Sequence, residues 1–576
     1  MIISRFHGLP LLLFFSLLTA CAGTVKPEPA PKEAAAPVKA DENLPKVALT
    51  PQTLYDLLVG EIAAQRGQVG VAASTLGKVA QQTRDPRVAA RATLAAFYAK
   101  RYDEALQSAQ LWTELQPDEI EAREAKITIL LELDRLAEAK SLYEEVFAQE
   151  KVRQNLDQSY LRAAAVLGRS SKQAAAIEVM QSLVALHPRN AAANFSLAHL
   201  QIRGGHAEQA LVSVEAALKQ RPDWEEAALF KGRLLLSQKE TQKARAFYES
   251  FLGSYPRATT LRVNYARFLI DQKEWQAALA EFKRVAAEAP NDADTIYAVG
   301  LLSMQNNSLD EAEKYLKRAL ELRPENDQAR LYLGQVAEQG RHDAEAIRRY
   351  REIEDGEYYF EAQVRIGVVL ARQGDLAAAR QQLHGVVAQD DTQRVQLALA
   401  EEAILREAKQ YREVVEVMNA AIKAVPDDKD LLYARAMAAE KLGMLDVTER
   451  DLREILRIDP KNVNALNSLG YTLTDRTTRF QEAMELLKQA MEIKPDDAFI
   501  MDSMGWLQYR LGNQAEAVKY LKRAFDVRND PEIAAHLGEV LWVMGNHAEA
   551  EAIWSRALRD TPDNESLIGV IKKYKP

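Results

Sequence analysis

The sequence predicts an all-α protein built as a solenoid of about 14–15 antiparallel helix pairs. Three observations carry this. Pro188, Pro222, Pro256, Pro290 and Pro324 stand 34 residues apart, and the phase returns at Pro426 and Pro460, although Tyr358 and Thr392 hold the positions between. A glycine recurs on its own beat at Gly232, Gly300, Gly334, Gly470, Gly505 and Gly538. An alanine recurs at Ala105, Ala139, Ala176, Ala210, Ala244, Ala278, Ala312, Ala346, Ala379, Ala483, Ala517 and Ala550. A fixed period of this length marks one supersecondary unit repeated along the chain.

Residues 1–20 form an expected export signal: Arg5, then a short apolar run from Leu9 to Leu18, then small residues. The run is too short for a permanent membrane-spanning helix. Leu18-Thr19-Ala20-Cys21 closes it and uses the only cysteine of the chain. The motif resembles the lipobox of bacterial lipoproteins, which implies cleavage before Cys21 and lipidation of Cys21, palmitate included. Ala20-Cys21-Ala22 also fits an ordinary A-x-A cleavage site. By resemblance to lipoprotein sorting, Ala22 implies the outer membrane. Acyl chains, at about 0.8 kcal/mol per buried CH₂, would anchor the protein there. Residues 21–50 follow as the lipidated cysteine and a disordered tether: Pro27, Pro29, Pro31, Pro37 and Pro45 alternate with Ala, Lys and Glu, and no apolar face offsets the entropy of ordering.

Residues 51–562 are the expected array. One unit shows its logic. Asn291-Asp292 offers side-chain oxygens to the first helix, whose apolar face is Ile296, Val299, Gly300 and Leu302. Asp310-Glu311 opens a second helix with Ala312, Tyr315, Leu316, Ala319 and Leu320, and Pro324 ends the unit. The small residues permit close helix crossing. Val414 and Thr448 break the alanine run, and three lapses break the phase: an insertion near Lys151–Asp157, the proline-free stretch 354–360, and a turn one residue longer at Asp475–Arg479. The first two are either bends between arcs or neutral changes in surface turns. Residues 563–576, with Ile568, Val570, Ile571 and Tyr574, are an expected capping helix.

The spaced Gly, Tyr, Ala, Ala and Pro positions resemble the tetratricopeptide repeat (TPR) family over roughly residues 52–562. The resemblance implies a right-handed superhelix whose concave side, formed mainly by first helices, binds proteins. Mapped onto this chain, the concave positions hold Arg233, Asn264, Arg267, Arg365 and Arg372 in the middle. Towards the end they hold Asn464, Asn467 and Tyr471, then Phe499, Asp502, Trp506, Tyr509 and Arg510, then His536, Glu539 and Trp542. Amphipathic aromatics beside Asn and Arg suit an extended peptide or a partner helix. Trp506 and Trp542 fit equally a role in packing between neighbouring first helices. The Lys/Asn set with which some TPR domains clamp a terminal carboxylate is not cleanly present.

No chemistry competes with this reading. The formal net charge is −9 and no basic stripe is present, so a nucleic-acid partner is not expected. Metalloprotease, nucleophile-elbow and phosphate-cradling motifs are missing. His206, His342 and His547 fall in turns of different units and cannot share one ion. The array leaves no stretch long enough for a catalytic domain. The expectation is a protein with no catalytic residue, cofactor, metal or small-molecule substrate.

Ala465–Leu473, Asp502–Trp506 and Pro531–Trp542 resemble the C-terminal part of a group of proteobacterial TPR lipoproteins. That group includes LbcA-type outer-membrane adaptors of a periplasmic carboxyl-terminal processing protease. The resemblance implies a periplasm-facing scaffold that brings protease and cell-wall hydrolase substrates together. The rival expectation is an assembly or secretion lipoprotein for a pilus, a secretin or an exopolysaccharide exporter.

Overall fold

The computed structural model describes residues 47, 50–149, 152 and 154–575. The predicted signal, Cys21, nearly all of the linker and part of the 151–157 insertion lie outside the described residues. Among the described residues there are 31 helices and no strand. The chain divides into two compact units between Asn307 and Ser308. Helices of the first run from Pro51–Gln65 to Ala293–Gln305, and those of the second from Leu309–Leu322 to Glu565–Tyr574. The all-α expectation is therefore met, and the described helices supply the predicted alternation of first and second helices.

Except after Pro222 and Pro256, where Trp224 and Ala258 make no side-chain cap, the proline beat works through the residue two places later. In Pro-x-Asx, Asn190, Asp292, Asn326, Asp428, Asn462, Asp497 and Asn564 each accept a hydrogen bond from a backbone N–H in the first turn of the next helix. Such a cap satisfies a donor the helix cannot satisfy itself. Where Tyr358 and Thr392 replace proline, the second helices are short: Asp343–Arg351 and Leu376–His384 have nine residues, against fourteen in Leu309–Leu322.

Within each unit the core lies between consecutive helices. All twelve alanines of the second-helix beat are 0 % exposed, as are Val414 and Thr448. The glycine beat has a more specific cause than helix approach alone. At Gly232, Gly334 and Gly538 a Cβ would overlap the rings of Tyr248, Tyr350 and Trp554, each sixteen residues later on the second helix. At Gly505 it would stand 2.7 Å from Leu521 Cγ, and at Gly470 2.7 Å from Leu487 Cγ, seventeen residues on because that turn is one longer. A large second-helix side chain thus lies flat across a first helix that has no side chain there. Gly60 with Leu76 and Gly367 with Leu383 repeat the arrangement.

The final helix, Glu565–Tyr574, buries Leu567 and packs Val570, Ile571 and Tyr574 on the core formed by the last pairs.

Candidate protein-binding groove

Three first helices position the predicted site: Val463–Arg476, Ala498–Arg510 and Pro531–Val543. Each turns its glycine towards its own second helix. A pocket opens across these helices and the preceding first helix, Lys429–Lys441. Its lining includes Asn467, Tyr471, Asp502 and His536 from the predicted set.

Asp502 and His536 form the polar centre. His536 Nδ1 lies 3.0 Å from both Asp502 oxygens, and its Nε2 lies 3.4 Å from the Tyr471 hydroxyl. Trp506 supports the imidazole from below, with ring centroids 4.3 Å apart and planes at 21°. Burial alone would push the His536 pKa down. The charge and hydrogen bond of Asp502 outweigh it, helped by Glu532 and Asp475, so the imidazole is held above its ordinary 6.5. Burial, reinforced by Asp475 and Asp502, pushes the Tyr471 phenol upward, so that group stays neutral.

The other predicted residues stand around this centre. Trp506 is 8 % exposed and donates from Nε1 to Asp475 Oδ1 at 3.3 Å. Tyr509 packs on Trp506 with centroids 5.1 Å apart. Arg510 Nη1 donates to the Asp475 carbonyl at 2.9 Å. Glu539 accepts from Lys573 Nζ and Tyr574 Oη, both at 3.0 Å. Trp542 lies among Trp554, His547 and Tyr574, with centroids 5.6, 4.2 and 6.2 Å away. Four of the nine thus line the pocket, three brace it through Asp475 and the rings, and two tie the last helix to the array. Asn464 is exposed beside it.

Sequence reasoning passed over Met437, Glu440, Ser468 and Glu532, which also line the pocket. The signal for Met437 was available: it lies 34 residues before Tyr471, at the same place on the preceding first helix. Tyr433, likewise 34 residues before Asn467, holds Ser468 Oγ at 3.1 Å. Three of the four arginines expected to face inward further up the chain are engaged. Arg365 pairs with Glu361 at 3.0 Å and Glu338 at 3.4 Å, and Arg372 pairs with Asp343. Arg233 Nη2 lies 3.5 Å from Asn264 Oδ1, while Arg267 Nε is buried without a partner.

Repeated helix pairs that carry a lined groove define a helical-repeat interaction scaffold. Sequence models of the tetratricopeptide repeat match residues 171–234, 235–299, 297–357, 463–497 and 503–565. TPR repeat-containing protein PA4667 of Pseudomonas aeruginosa is 33 % identical over 487 residues, which cover 84 % of this chain and 82 % of that protein. The chain belongs to the tetratricopeptide-repeat family. Type IV pilus assembly protein PilF of the same organism is 24 % identical over 128 residues, covering 22 % of this chain and 50 % of PilF. Among solved structures, the Cut9–Hcn1 hetero-tetramer of APC/C matches 91 % of this chain and 96 % of the matched chain, at 14 % identity and a TM-score of 0.32.

Proposed function

We propose that this TPR array is a periplasmic adaptor, held at the outer membrane by lipid on Cys21, that brings a processing protease and its cell-wall hydrolase substrates together. It acts by binding, without catalytic residues of its own. The observation that carries the binding role is the pocket built by four successive first helices, where Asn467, Tyr471, Asp502 and His536 meet. The lipobox supports the anchorage, and the C-terminal motifs support the adaptor role. One observation favours the rival reading, an assembly lipoprotein: the partial likeness to PilF.

Affinity capture from detergent-solubilised envelope separates the two. The adaptor reading expects a processing protease and a hydrolase to co-purify with the chain. Recovery of pilus or export components without any protease contradicts it. The anchor has its own test: Cys21→Ala should move the protein from the membrane pellet to the soluble periplasm. Retention in the pellet contradicts lipidation.

A further inference from the structure

We infer that the N-terminal end of the array lies against an anionic phospholipid surface, through the outward stripe of its first helix, Pro51–Gln65, with Leu94 and Tyr98 beside it. This rests on the proposed anchorage at Cys21 and adds the face of the protein that meets the bilayer.

A solenoid needs a polar outer face at each end. The C-terminal end is closed by Glu565–Tyr574, but the N-terminal helix turns apolar side chains outward: Leu54, Tyr55, Leu58 and Ile62 are all exposed, Tyr55 to 63 %. Gly60 faces Leu76 of its own second helix, and Leu58 and Ile62 stand two residues to either side of it. At 3.6 residues per turn they point about 160° away from Gly60, and Leu54 continues the row one turn earlier. The Arg91–Glu61 ion pair brings the next first helix, Pro86–Tyr98, alongside, where Leu94 and Tyr98 are also exposed. Charge says what covers this face. From Pro51 to Arg101, seven Lys and Arg stand against three Asp and Glu, in a chain whose net charge is −9. Lys78, Arg87 and Arg91 pair with the three acids, which leaves Arg66, Arg84, Lys100 and Arg101 in surplus. Arg84 and Arg101 reach Glu114 and Glu104 of the following helix at 3.9 and 3.5 Å. Arg66 and Lys100 are exposed, one turn beyond Ile62 and two residues beyond Tyr98. Apolar side chains flanked by cations, with phenols suited to headgroup depth, match an anionic bilayer surface. The tether enters at this same end. Cys21 precedes Thr50 by 29 residues, a reach of at most about 100 Å, so lipid on Cys21 keeps the bilayer at high effective concentration here.

The test is vesicle flotation of the chain from residue 21 onward, carrying Cys21→Ala so that no acyl chain contributes. Vesicles of phosphatidylethanolamine with phosphatidylglycerol are compared with vesicles of phosphatidylcholine, at low and at physiological salt. The protein should bind the anionic vesicles about tenfold more tightly than the neutral ones, and the margin should shrink with salt. Leu58→Gln with Ile62→Gln should weaken binding to the anionic vesicles by about tenfold and leave the melting curve unchanged, since both side chains are exposed. Arg66→Gln with Lys100→Gln should reduce the salt dependence. Equal flotation on both kinds of vesicle, or undiminished flotation of the Leu58/Ile62 variant, overturns the inference. So does a chain that stays off vesicles and forms a dimer that the Leu58/Ile62 variant dissociates, because a second copy then covers the face. Absence of flotation overturns the inference and leaves the anchorage standing, because release of the Cys21→Ala protein from the membrane pellet tests the lipid separately.

Discussion

At the scale of single residues, the array is set by what a position lacks. Gly538 is the clearest case, because any Cβ there meets the indole of Trp554, which is 2 % exposed and has nowhere to go. Gly538→Ala should therefore cost about 1–3 kcal/mol, the range of overpacking in a full core. Gly569→Ala should instead stabilise by about 0.5–1 kcal/mol, since the glycine lies inside the helix Glu565–Tyr574 and nothing lies within 4 Å of that position. Thermal denaturation of the two variants checks the contrast. The position also shows where the sequence was hard to interpret. Glu402 occupies the glycine place of its unit, twelve residues before Val414, and is buried with Oε2 unpaired and Oε1 bonded to Arg406 at 2.8 Å. Val414 in the alanine run was visible, but a glutamate among other helical glutamates gives no sign that it lies inside. His536 supplies a pH test. Its folded pKa is raised above 6.5, so the stability it contributes is complete below 6.5 and is lost as pH rises through the folded value. Hydrogen exchange in Pro531–Val543 should therefore quicken, beyond its intrinsic pH dependence, as pH climbs from 6. Asp502→Asn should flatten that response. An identical pH response in the variant would contradict the pairing.

At the scale of elements, helix starts were legible because Pro-x-Asx is a chemical signal: the proline ends one helix and the Asx oxygen caps the next. The paired turns were less so. Most contain one residue in the left-handed region, glycine at Gly205, Gly374, Gly443, Gly512 and Gly545 but lysine at Lys100, Lys239, Lys273 and Lys409. A turn can thus demand a conformation that its residue disfavours, and the demand is invisible until the backbone is seen. A side chain in that region costs roughly 1–2 kcal/mol, against about 0.5–1 kcal/mol for the extra unfolded-state freedom of glycine. Lys239→Gly and Lys273→Gly should each stabilise the chain by about 0.5–1 kcal/mol, seen as a higher denaturation midpoint. The short second helices Asp343–Arg351 and Leu376–His384 escaped the sequence for a related reason. The phase survives the missing prolines, so the beat alone conceals where each helix stops.

At the scale of the whole molecule, the repeat explains the scaffold and leaves function to what the period does not fix. For the last pairs the family's geometry pointed to first-helix residues, and four of the nine named line one pocket. Their division into pocket-lining, bracing and helix-tying groups was not legible, because it depends on which neighbour each ring meets. Trp506 follows the glycine of its helix by one residue and Trp542 by four, and one stacks on His536 while the other stacks on Trp554. The described residues contain no helix long and apolar enough to cross a membrane. The central claim is that proteins dock in the groove at Phe499 and Asn467, and site-specific photocrosslinking in the native host tests it most directly. A benzoylphenylalanine at position 499 or 467 should yield covalent adducts with envelope proteins, while one at the exposed second-helix position 488 should not. Adducts at 488 with none at 499 or 467 would contradict the account.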